Sequence, residues 1–446
     1  PLGIEIIFSD LNKFEFDDKF YGCLIQYPGL YGEIIDIEKY CLKASSNNVK
    51  IVVAADLLSL CLLKKPSCFG VDVVVGTSQR FGIPLGYGGP HAAYFATKED
   101  YKRFVPGRII GLTKDVDEDP ALRMALQTRE QHIKRDRATS NICTSQVLLA
   151  VMAGMYGVYH GPKGLKEIAS SIHLKAALLE KNLEKIGVQQ LNKYFFDTIR
   201  LKVSSKKIKK IAIINKLNFN YINENEISIS VNEATSLKDI QIIVDVIAKS
   251  LNADLFEIET KFNLSRIPEN LNRSSDFLSL EIFNKYHSET ALMRYIKNLE
   301  RKDLSLTHSM ISLGSCTMKL NAASEMIPIS WNKWNNIHPF APLDQAIGYQ
   351  KLLKKLEKQL NEITGFSGTS LQPNSGAQGE YAGLMVIREY LKSTSNEHRN
   401  ICLIPSSAHG TNPASAVMAG MKVVVVGTDK HGNINVDELK EKAEHY

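Results

Sequence analysis

The amino-acid sequence predicts an α/β protein in which parallel sheets carry helices on both faces. Two nearly continuous apolar runs, Val49–Ala55 and Val71–Val75, are typical of strands that a sheet buries on both sides. A short helical stretch at Leu57–Leu63 separates them, and strand–helix–strand alternation of this kind indicates a parallel sheet. Because the same alternation returns near residue 344, the 446 residues are expected to hold parts of two α/β modules.

The other elements of the first module follow from the spacing of apolar residues along the chain. A strand over Gly22–Tyr27 precedes a helix over Ile35–Ala44. Three longer helices are predicted next, at Pro120–Ile133, Thr144–Tyr159 and Leu165–Ile186. A small unit of alternating strands and helices then follows, with elements at Asp197–Val203, Lys206–Leu217, Ile227–Val231 and Ser236–Leu251.

The second module follows a weakly patterned stretch at 252–285, a helical segment from His287 and an irregular region at 305–343. Its last predicted helix, Val436–Tyr446, has no C-cap, and the chain begins with Pro1, so we expect a fragment of a longer protein. The elements before that helix are a helix at 344–363, a strand at 369–372, a helix at 377–392, a strand at 400–404, a helix at 413–420 and a strand at 422–426.

The composition excludes several classes of protein. Hydrophobic residues make up 44% and charged residues 23%, which is close to a globular average. The excess of 54 basic over 48 acidic residues gives a net charge of +6, too mild to indicate a nucleic-acid partner. The longest apolar stretch, Ile51–Leu63, contains Asp56 and is too short to span a bilayer. We therefore expect neither nucleic-acid binding nor membrane insertion.

The cysteines and histidines indicate neither disulfides nor a metal site. The seven cysteines, at positions 23, 41, 61, 68, 143, 316 and 402, are odd in number and form no C-x-x-C pair. This favours reduced thiols, as in a bacterial cytoplasm or a mitochondrial matrix, and we prefer the cytoplasm. The eleven histidines include no H-E-x-x-H motif, so metal chemistry is not expected.

A loop of small and polar residues lies between a predicted strand and a long helix of the second module. It runs from Gln372 to Gln378 and includes Asn374, Ser375, Gly376 and Ala377. Small residues let backbone N–H groups close around an oxyanion, and the helix dipole adds partial positive charge. The loop therefore predicts a phosphate site, although an ordinary Asn/Ser N-cap would account equally well for the same residues.

A second strand-end loop, Ser406–Pro413, contains His409 and Thr411. Ligands of open α/β sheets bind at the carboxyl ends of the strands, so two neighbouring loops of this kind face one crevice. The imidazole of His409 is suited to stacking on a planar ring, and Thr411 to donating a hydrogen bond to a ring oxygen. A lone histidine is more often structural, but the neighbouring phosphate-type loop favours a functional role.

A third strand-end feature occurs in the first module. Asp56 ends a buried strand, and the glycine-rich run Gly76–Pro90 follows the next strand. A strand-end aspartate with a nearby lysine would suit a pyridinium cofactor, but the candidate position holds Gln79, whose amide cannot form an imine. Taken alone, this region is better interpreted as a packed glycine-rich turn.

Two further polar stretches, Gln127–Cys143 and Gly314–Asn321, are difficult to explain by packing. Their cationic side chains are suited to lining the mouth of a pocket and binding a carboxylate. Composition alone favours a solvated surface to about the same degree.

Six long and unusual strings extend over nearly the whole chain: Gly76–Ala93, Leu126–Gln146, His287–Asn321, Asn336–Gln345, Gln372–Leu384 and Ile404–Met421. They resemble the P-protein family of the glycine cleavage system, which comprises glycine dehydrogenases (decarboxylating) that depend on pyridoxal phosphate. Strings of this length are far more specific than a short motif, and the least distinctive region is about 185–285.

The resemblance implies a fold-type-I pyridoxal-phosphate transferase-like protein with parts of two homologous modules. Residues 1–190 would be the remainder of an N-terminal large domain without the lysine, and 191–252 a small α/β subdomain. Residues 253–343 would form a linker and the extension of the second half, and 344–446 the start of its cofactor-binding large domain. Gln79 stands where the second half carries its lysine.

The resemblance also implies pyridoxal 5′-phosphate as the cofactor. His409 would stack on its pyridine ring, with Thr411 near the ring hydroxyl. No catalytic residue is assigned, because the family's His-Lys-Thr motif with the Schiff-base lysine is absent from these 446 residues. The residues expected to hold the cofactor phosphate are Ser375, Gly376, Ala377 and Gln378, and weaker candidates for substrate contacts are Lys319, Arg135 and Asn141.

By the same resemblance, the whole enzyme decarboxylates glycine and passes the aminomethyl group to the lipoyl arm of a partner, the H-protein. We expect a homodimer or a two-subunit assembly, and a fragment that is inactive alone. Two alternatives stay open: another fold-type-I pyridoxal-phosphate decarboxylase of amino acids, and a non-catalytic subunit that pairs with a catalytic partner.

Overall fold

The computed structural model describes residues 3–105, 108–126, 130–142, 146–261, 265–302 and 322–446. The chain divides into two compact units, each made of two segments. Unit 1 comprises Pro1–Thr97 and Leu148–Ala341, and unit 2 comprises Lys98–Val147 and Pro342–Tyr446. Within the described ranges, every helix is too short or too polar to cross a membrane. The predicted domain boundaries after residues 190, 252 and 343 refer to the modules of the family and stay a prediction.

The twelve strands of the described ranges are short, and each belongs to one of four sheets. They are β1 (Gly22–Tyr27), β2 (Lys50–Ala55), β3 (Val73–Thr77), β4 (Ala93–Thr97), β5 (Ile109–Lys114), β6 (Pro120–Leu126), β7 (Gln189–Gln190), β8 (Thr198–Lys202), β9 (Asn220–Asn223), β10 (Glu226–Ser230), β11 (Ile401–Pro405) and β12 (Lys422–Val426).

The helices range from one turn to 38 residues. They are α1 (Glu38–Ser46), α2 (Gln131–Lys134), α3 (Val147–Glu184), α4 (Ser205–Ile214), α5 (Leu237–Leu251), α6 (Glu289–Glu300), α7 (Ala323–Met326), α8 (Asn332–Asn335), α9 (Ile347–Thr364), α10 (Gly376–Ser393), α11 (Thr411–Met418) and α12 (Val436–His445).

The main sheet of unit 1 has the order β1–β2–β3–β4. The first three strands are parallel, and β4 pairs with β3 in the antiparallel sense. Ile51 and Val53 of β2 are fully buried, as expected for a central strand with apolar groups on its inner face. The predicted parallel sheet and the α/β class are thereby confirmed, and β1 has the predicted bounds.

Helix α3 joins two of the predicted helices into one element with a kink. The backbone at Gly161 is non-helical, with φ of 59° and ψ of −176°, and Pro162 follows it. Because proline has no N–H and restricts the residue before it, the kink falls at this pair. The helical segments on either side match the predicted ranges 144–159 and 165–186, although Thr144 lies outside the described residues.

The second sheet of unit 1 has the order β7–β8–β10–β9 and is antiparallel. Helix α5 begins with a capping box, because the Ser236 hydroxyl accepts the Asp239 N–H at 3.1 Å and the Asp239 carboxylate accepts the Ser236 N–H at 2.8 Å. The described residues of 252–285 contain little regular structure but are anchored, since Leu271 is buried and Arg266 pairs with Glu180 at 2.6 Å.

The predicted helix over Pro120–Ile133 is wrong for most of its length. Residues Pro120–Leu126 form β6, which pairs with β5 in an antiparallel hairpin. The turn is closed by the Asp115 carboxylate, which accepts the N–H groups of Asp117 and Asp119 at 2.9 and 3.0 Å. This aspartate turn and the pairing with β5 outweigh the helical propensity of the segment.

The predicted strand at 369–372 is also wrong. These residues are described, but they do not enter a sheet, and β11 and β12 form a two-stranded parallel sheet. A strand needs a neighbour to satisfy its backbone groups, and the described part of unit 2 places none beside this segment. The other predicted elements of the module correspond to α9, α10, β11, α11 and β12 within three residues at each end.

We predict that Gly161→Ala destabilises the protein by about 2–3 kcal/mol, because its backbone conformation is one that essentially only glycine adopts. A Cβ at this position would also lie 2.3 Å from the Phe283 carbonyl oxygen. Gly154→Ala is the matched control, since it lies in the same helix with open space around it. Urea unfolding measures both variants, and equal stability of the two would contradict this account of the kink.

Candidate functional site

Of the two loops expected to form the site, the loop of His409 lies at the carboxyl end of the parallel sheet of unit 2, whereas the described residues 369–372 before the loop Gln372–Gln378 form no strand. Strands β11 and β12 run parallel, so their carboxyl ends share one edge. The Ser406 N–H donates to the Val426 carbonyl at 2.7 Å and marks the end of the pairing. The loop 406–410 leads from this edge directly into α11. This is the position at which open α/β sheets bind ligands.

The start of α10 presents backbone N–H groups that the helix cannot satisfy. Ser375 is the N-cap in an extended conformation, and its hydroxyl accepts the Gln378 N–H at 3.3 Å. The N–H groups of Gly376 and Ala377 precede the first intrahelical acceptor, and among the described residues they have no other acceptor. A Cβ at the exposed Gly376 would meet nothing within 4 Å. The geometry therefore offers an oxyanion both donors and room.

The loop after β11 holds His409 in one orientation. The ring Nδ1 accepts the Thr411 N–H at 3.2 Å and lies 2.7 Å from the Thr411 hydroxyl oxygen. A backbone N–H can only donate, so Nδ1 is the acceptor and the neutral ring carries its proton on Nε2. Thr411 is buried, whereas His409 is exposed. Thr411 therefore contacts His409, rather than standing free beside it.

The ring of His132 contacts the ring of His409 at right angles, with 4.4 Å between the ring centroids. Partial burial lowers the pKa of His132 below its ordinary value, against the opposing effect of the Glu130 carboxylate. The imidazole of His132 is therefore neutral near pH 7, and the pair forms without repulsion between two cations.

Gly410 lets the two segments of unit 2 approach closely. A Cβ at Gly410 would lie 2.5 Å from the carbonyl oxygen of Gln131 and 2.8 Å from the Cα of His132. Gln131 is 1% exposed, and both polar atoms of its side chain are buried without a hydrogen-bond partner in the described part of the chain. A buried amide with both polar groups unsatisfied is rare in folded proteins.

Glu130 anchors the segment that carries these residues. Its side chain is 1% exposed, one oxygen pairs with the Arg108 Nε at 3.0 Å, and the other accepts the Ile133 N–H at 3.0 Å. Burial acts to raise the pKa of Glu130, but the N–H groups of His132 and Ile133 and the Arg108 guanidinium outweigh it. The pKa of this carboxyl is therefore lowered below its ordinary value.

The polar stretch Gln127–Cys143 is thus neither wholly solvated nor a simple pocket rim. Arg135 donates to the Ala408 carbonyl at 3.1 Å and to the Ser406 carbonyl at 3.5 Å, and Asn141 is 6% exposed. Residues 127–129 and 143–145 lie outside the described residues. The second polar stretch, Gly314–Asn321 with Lys319, lies entirely outside them.

Several of these residues were not predicted as part of a site. Glu130 and Gln131 were named only as members of the polar stretch Gln127–Cys143, and they carry no local pattern that indicates burial. The one available signal was the unusual density of polar residues around Arg135 in a stretch that packing did not explain.

The strand-end aspartate of unit 1 is engaged within the protein. The Arg80 guanidinium lies 2.6 Å from the Asp197 carboxylate and 3.8 Å from that of Asp56. Burial raises the pKa of Asp56, although the charge of Arg80 opposes the shift. A Cβ at Gly76 would lie 2.4 Å from the Ala55 carbonyl oxygen, which agrees with the interpretation of this region as a packed turn.

Comparison with known proteins decides the family. The family model described as the glycine cleavage system P-protein matches residues 1–247, which is more than half of the chain. The chain belongs to the glycine cleavage system P-protein family. The resemblance seen in the sequence is therefore confirmed.

The relatives of this P-protein family member include bacterial and plant proteins. The chain is 62% identical over 442 residues to glycine dehydrogenase (decarboxylating) of Christiangramia forsetii, covering 99% of this chain and 47% of that protein. It is 51% identical to a mitochondrial glycine dehydrogenase (decarboxylating) of Flaveria pringlei, covering 99% of this chain and 43% of that protein. The chain spans about half the length of these relatives.

A solved structure supports the fold. The crystal structure of glycine decarboxylase (P-protein) of the glycine cleavage system, in inhibitor-bound form, is 30% identical with a TM-score of 0.50. The match covers 53% of this chain and 56% of the other. The fold expected from the P-protein family is thereby confirmed.

We predict that Glu130→Gln destabilises the protein by about 2 kcal/mol at pH 7, because it leaves Arg108 without its buried anionic partner. The lowered pKa of Glu130 means that its contribution is complete above its ordinary value of 4.5 and is lost as the pH falls through the folded value. The difference between wild type and variant should therefore shrink below pH 4.5. Chemical denaturation across this range measures it.

Glu118→Gln is the control for this experiment. Glu118 also pairs with a cation, Lys114, in the same unit, but both side chains are exposed. We expect little change in stability at any pH. A Glu130→Gln variant that behaved like Glu118→Gln would contradict the anchoring role of Glu130.

Proposed function

We propose that the complete protein is a pyridoxal-phosphate-dependent glycine dehydrogenase (decarboxylating). It would release the carboxyl group of glycine as CO₂ and transfer the aminomethyl group to the lipoyl arm of an H-protein. The observation that carries this proposal is the open N-terminus of α10 beside His409, in a chain of the P-protein family. The net charge of +6 would favour encounter with an acidic carrier protein.

The residues at this edge of unit 2 fit pyridoxal 5′-phosphate. The N–H groups of Gly376 and Ala377, with the Ser375 hydroxyl, would hold the phosphate, and the neighbouring Gln378 N–H would join them. The exposed ring of His409 would stack on the pyridine ring. When bound, the cofactor supplies an electron sink for the decarboxylation.

The protein groups around this site would orient the ring of His409 and hold the loop that carries it. The Thr411 N–H donates to Nδ1 of His409 and would hold the ring in one orientation for stacking. Arg135 donates to a carbonyl group of the loop that carries His409. The guanidinium of Arg135 would therefore hold this loop rather than bind a substrate carboxylate. We place the cofactor in unit 2 because Asp56 of unit 1 is already paired with Arg80.

The test of this proposal is exchange of labelled bicarbonate into the carboxyl group of glycine by the complete protein. We expect exchange that requires pyridoxal phosphate and a lipoylated carrier protein. Turnover of another amino acid without the carrier would favour a different decarboxylase. Cofactor-independent pairing with a second protein, and no exchange, would favour the non-catalytic subunit. Cell fractionation tests the expected location of the complete protein, for which we prefer the cytoplasm.

We further predict that Ser375→Ala weakens binding of pyridoxine 5′-phosphate about tenfold, because it removes the cap and one donor at the phosphate site. Pyridoxine 5′-phosphate has no aldehyde, so surface lysines cannot trap it covalently. Titration calorimetry with cofactor-free protein gives the dissociation constant. Ser393→Ala at the opposite end of α10 is the control, since the Ser393 hydroxyl donates to the Tyr390 carbonyl, away from the proposed phosphate site. Equal effects of the two substitutions would refute the assignment of Ser375.

A further inference from the structure

Asn141 connects the two loops of the candidate site through a buried set of hydrogen bonds. Its side-chain amide donates to the Ala377 carbonyl at 2.8 Å and to the Ser415 hydroxyl at 3.1 Å. An amide nitrogen carries two hydrogens, so both are used. Asn141 is 6% exposed and therefore cannot contact a substrate in this arrangement.

The two acceptors of Asn141 belong to different elements of the site. Ala377 lies in the first turn of α10, whose N–H groups are proposed to hold the phosphate. Ser415 lies in α11, one turn after Thr411, and α11 begins directly after the loop of His409. The Ser415 hydroxyl in turn donates to the Glu380 carboxylate of α10 at 3.3 Å. Asn141 therefore links α10 to α11, in addition to the direct hydrogen bond between Ser415 and Glu380.

We propose that Asn141 is a positioning residue, which sets the separation between the phosphate donors of α10 and the ring-stacking His409. This inference rests on the proposed function of the same site. Neither N–H donor of α10 is contacted by Asn141 itself, since the bond goes to the carbonyl of Ala377. Asn141 thus acts on the geometry of the site, not on the bound group.

The physical consequence is a coupling between the two halves of a ligand. A molecule that carries both a phosphate and a pyridine ring gains from a fixed separation, because binding of one part presents the other at its own subsite. Inorganic phosphate alone, or pyridoxine alone, occupies one subsite and gains nothing from the separation. Loss of Asn141 should therefore weaken the combined molecule much more than either part.

The test is titration calorimetry of the complete, cofactor-free protein with pyridoxine 5′-phosphate, pyridoxine and inorganic phosphate. For Asn141→Leu we expect about tenfold weaker binding of pyridoxine 5′-phosphate, and less than about threefold for each of the two parts. Ser415→Ala removes one acceptor with little change of volume, so it should act in the same direction by about threefold. It also keeps the test informative if Asn141→Leu folds poorly.

Asn182→Leu is the matched control. Asn182 is fully buried in unit 1, and its amide also donates to two oxygens, the carbonyls of Leu178 and Glu259. It should lower stability without changing the relative affinities of the three probes. If the unaltered protein binds pyridoxine 5′-phosphate and both site variants bind it equally well, the positioning role is overturned. If the unaltered protein does not bind it, the proposed function falls as well.

Discussion

Two backbone N–H groups at the start of α10 are the feature on which the candidate site depends. A helix cannot satisfy its own first N–H groups, so each helix N-terminus needs side chains, water or a ligand to do so. In α10 the Ser375 hydroxyl satisfies one of them, and the N–H groups of Gly376 and Ala377 have no acceptor in the described part of the chain. The absence of a side chain at Gly376 keeps the space in front of them clear. The rest of the site determines how accurately these donors are presented.

That accuracy comes from residues far away in the sequence. The segment 130–142 contacts α10, α11 and the loop that follows β11, more than 230 positions later in the chain. Gly410 permits the contact because any larger residue would collide with the Gln131 backbone. Glu130 fixes the segment from the other side through its buried pair with Arg108. The candidate site of unit 2 is thus built from the segment 130–142 and from the later segment that carries α10 and α11, and no sequence pattern links the two.

This arrangement explains what the sequence predicted and what it did not. Strands β1, β2, β11 and β12 and helix α5 follow from apolar periods and caps, which are local signals. The loop of His409 was found because small and polar residues directly after a strand are a local signal, whereas the loop at Gln372–Gln378 was found from its small and polar residues before a helix although the strand predicted ahead of it does not form. The hairpin of β5 and β6 was missed because its aspartate turn lies within a sequence of high helical propensity.

The packing of the segment 130–142 was beyond any local argument. Whether Asn141 is solvated or buried depends on Ala377 and Ser415, and neither lies within 230 residues of it. Composition alone therefore left a solvated surface and a pocket rim about equally favoured, and neither describes the observed role. The buried amide of Gln131, with no partner in the described ranges, could not be foreseen for the same reason.

The two units also show how one strand-end position can serve opposite purposes. In unit 1, Arg80 lies close to both Asp56 and Asp197, and the aromatic ring of Phe196 lies 5.8 Å from its guanidinium. A carboxylate engaged with a guanidinium in a buried setting is costly to separate from it. Asp56 is therefore not available to a pyridinium nitrogen, and Gln79 cannot supply an imine.

The pairing of Asp56 with Arg80 and the amide at Gln79 are two separate features of unit 1, and each is unfavourable to a pyridinium cofactor. An internal cation stabilises the acidic strand end, so that end needs no bound group to be stable. In unit 2 the N–H groups of Gly376 and Ala377 at the start of α10 have no acceptor among the described residues, and the imidazole of His409 is exposed. A sheet edge that is stable without a ligand needs its polar groups paired within the protein. A sheet edge that binds a ligand needs polar groups left open, so the two requirements are opposed. On the proposed function, the chain would meet the two requirements in separate units.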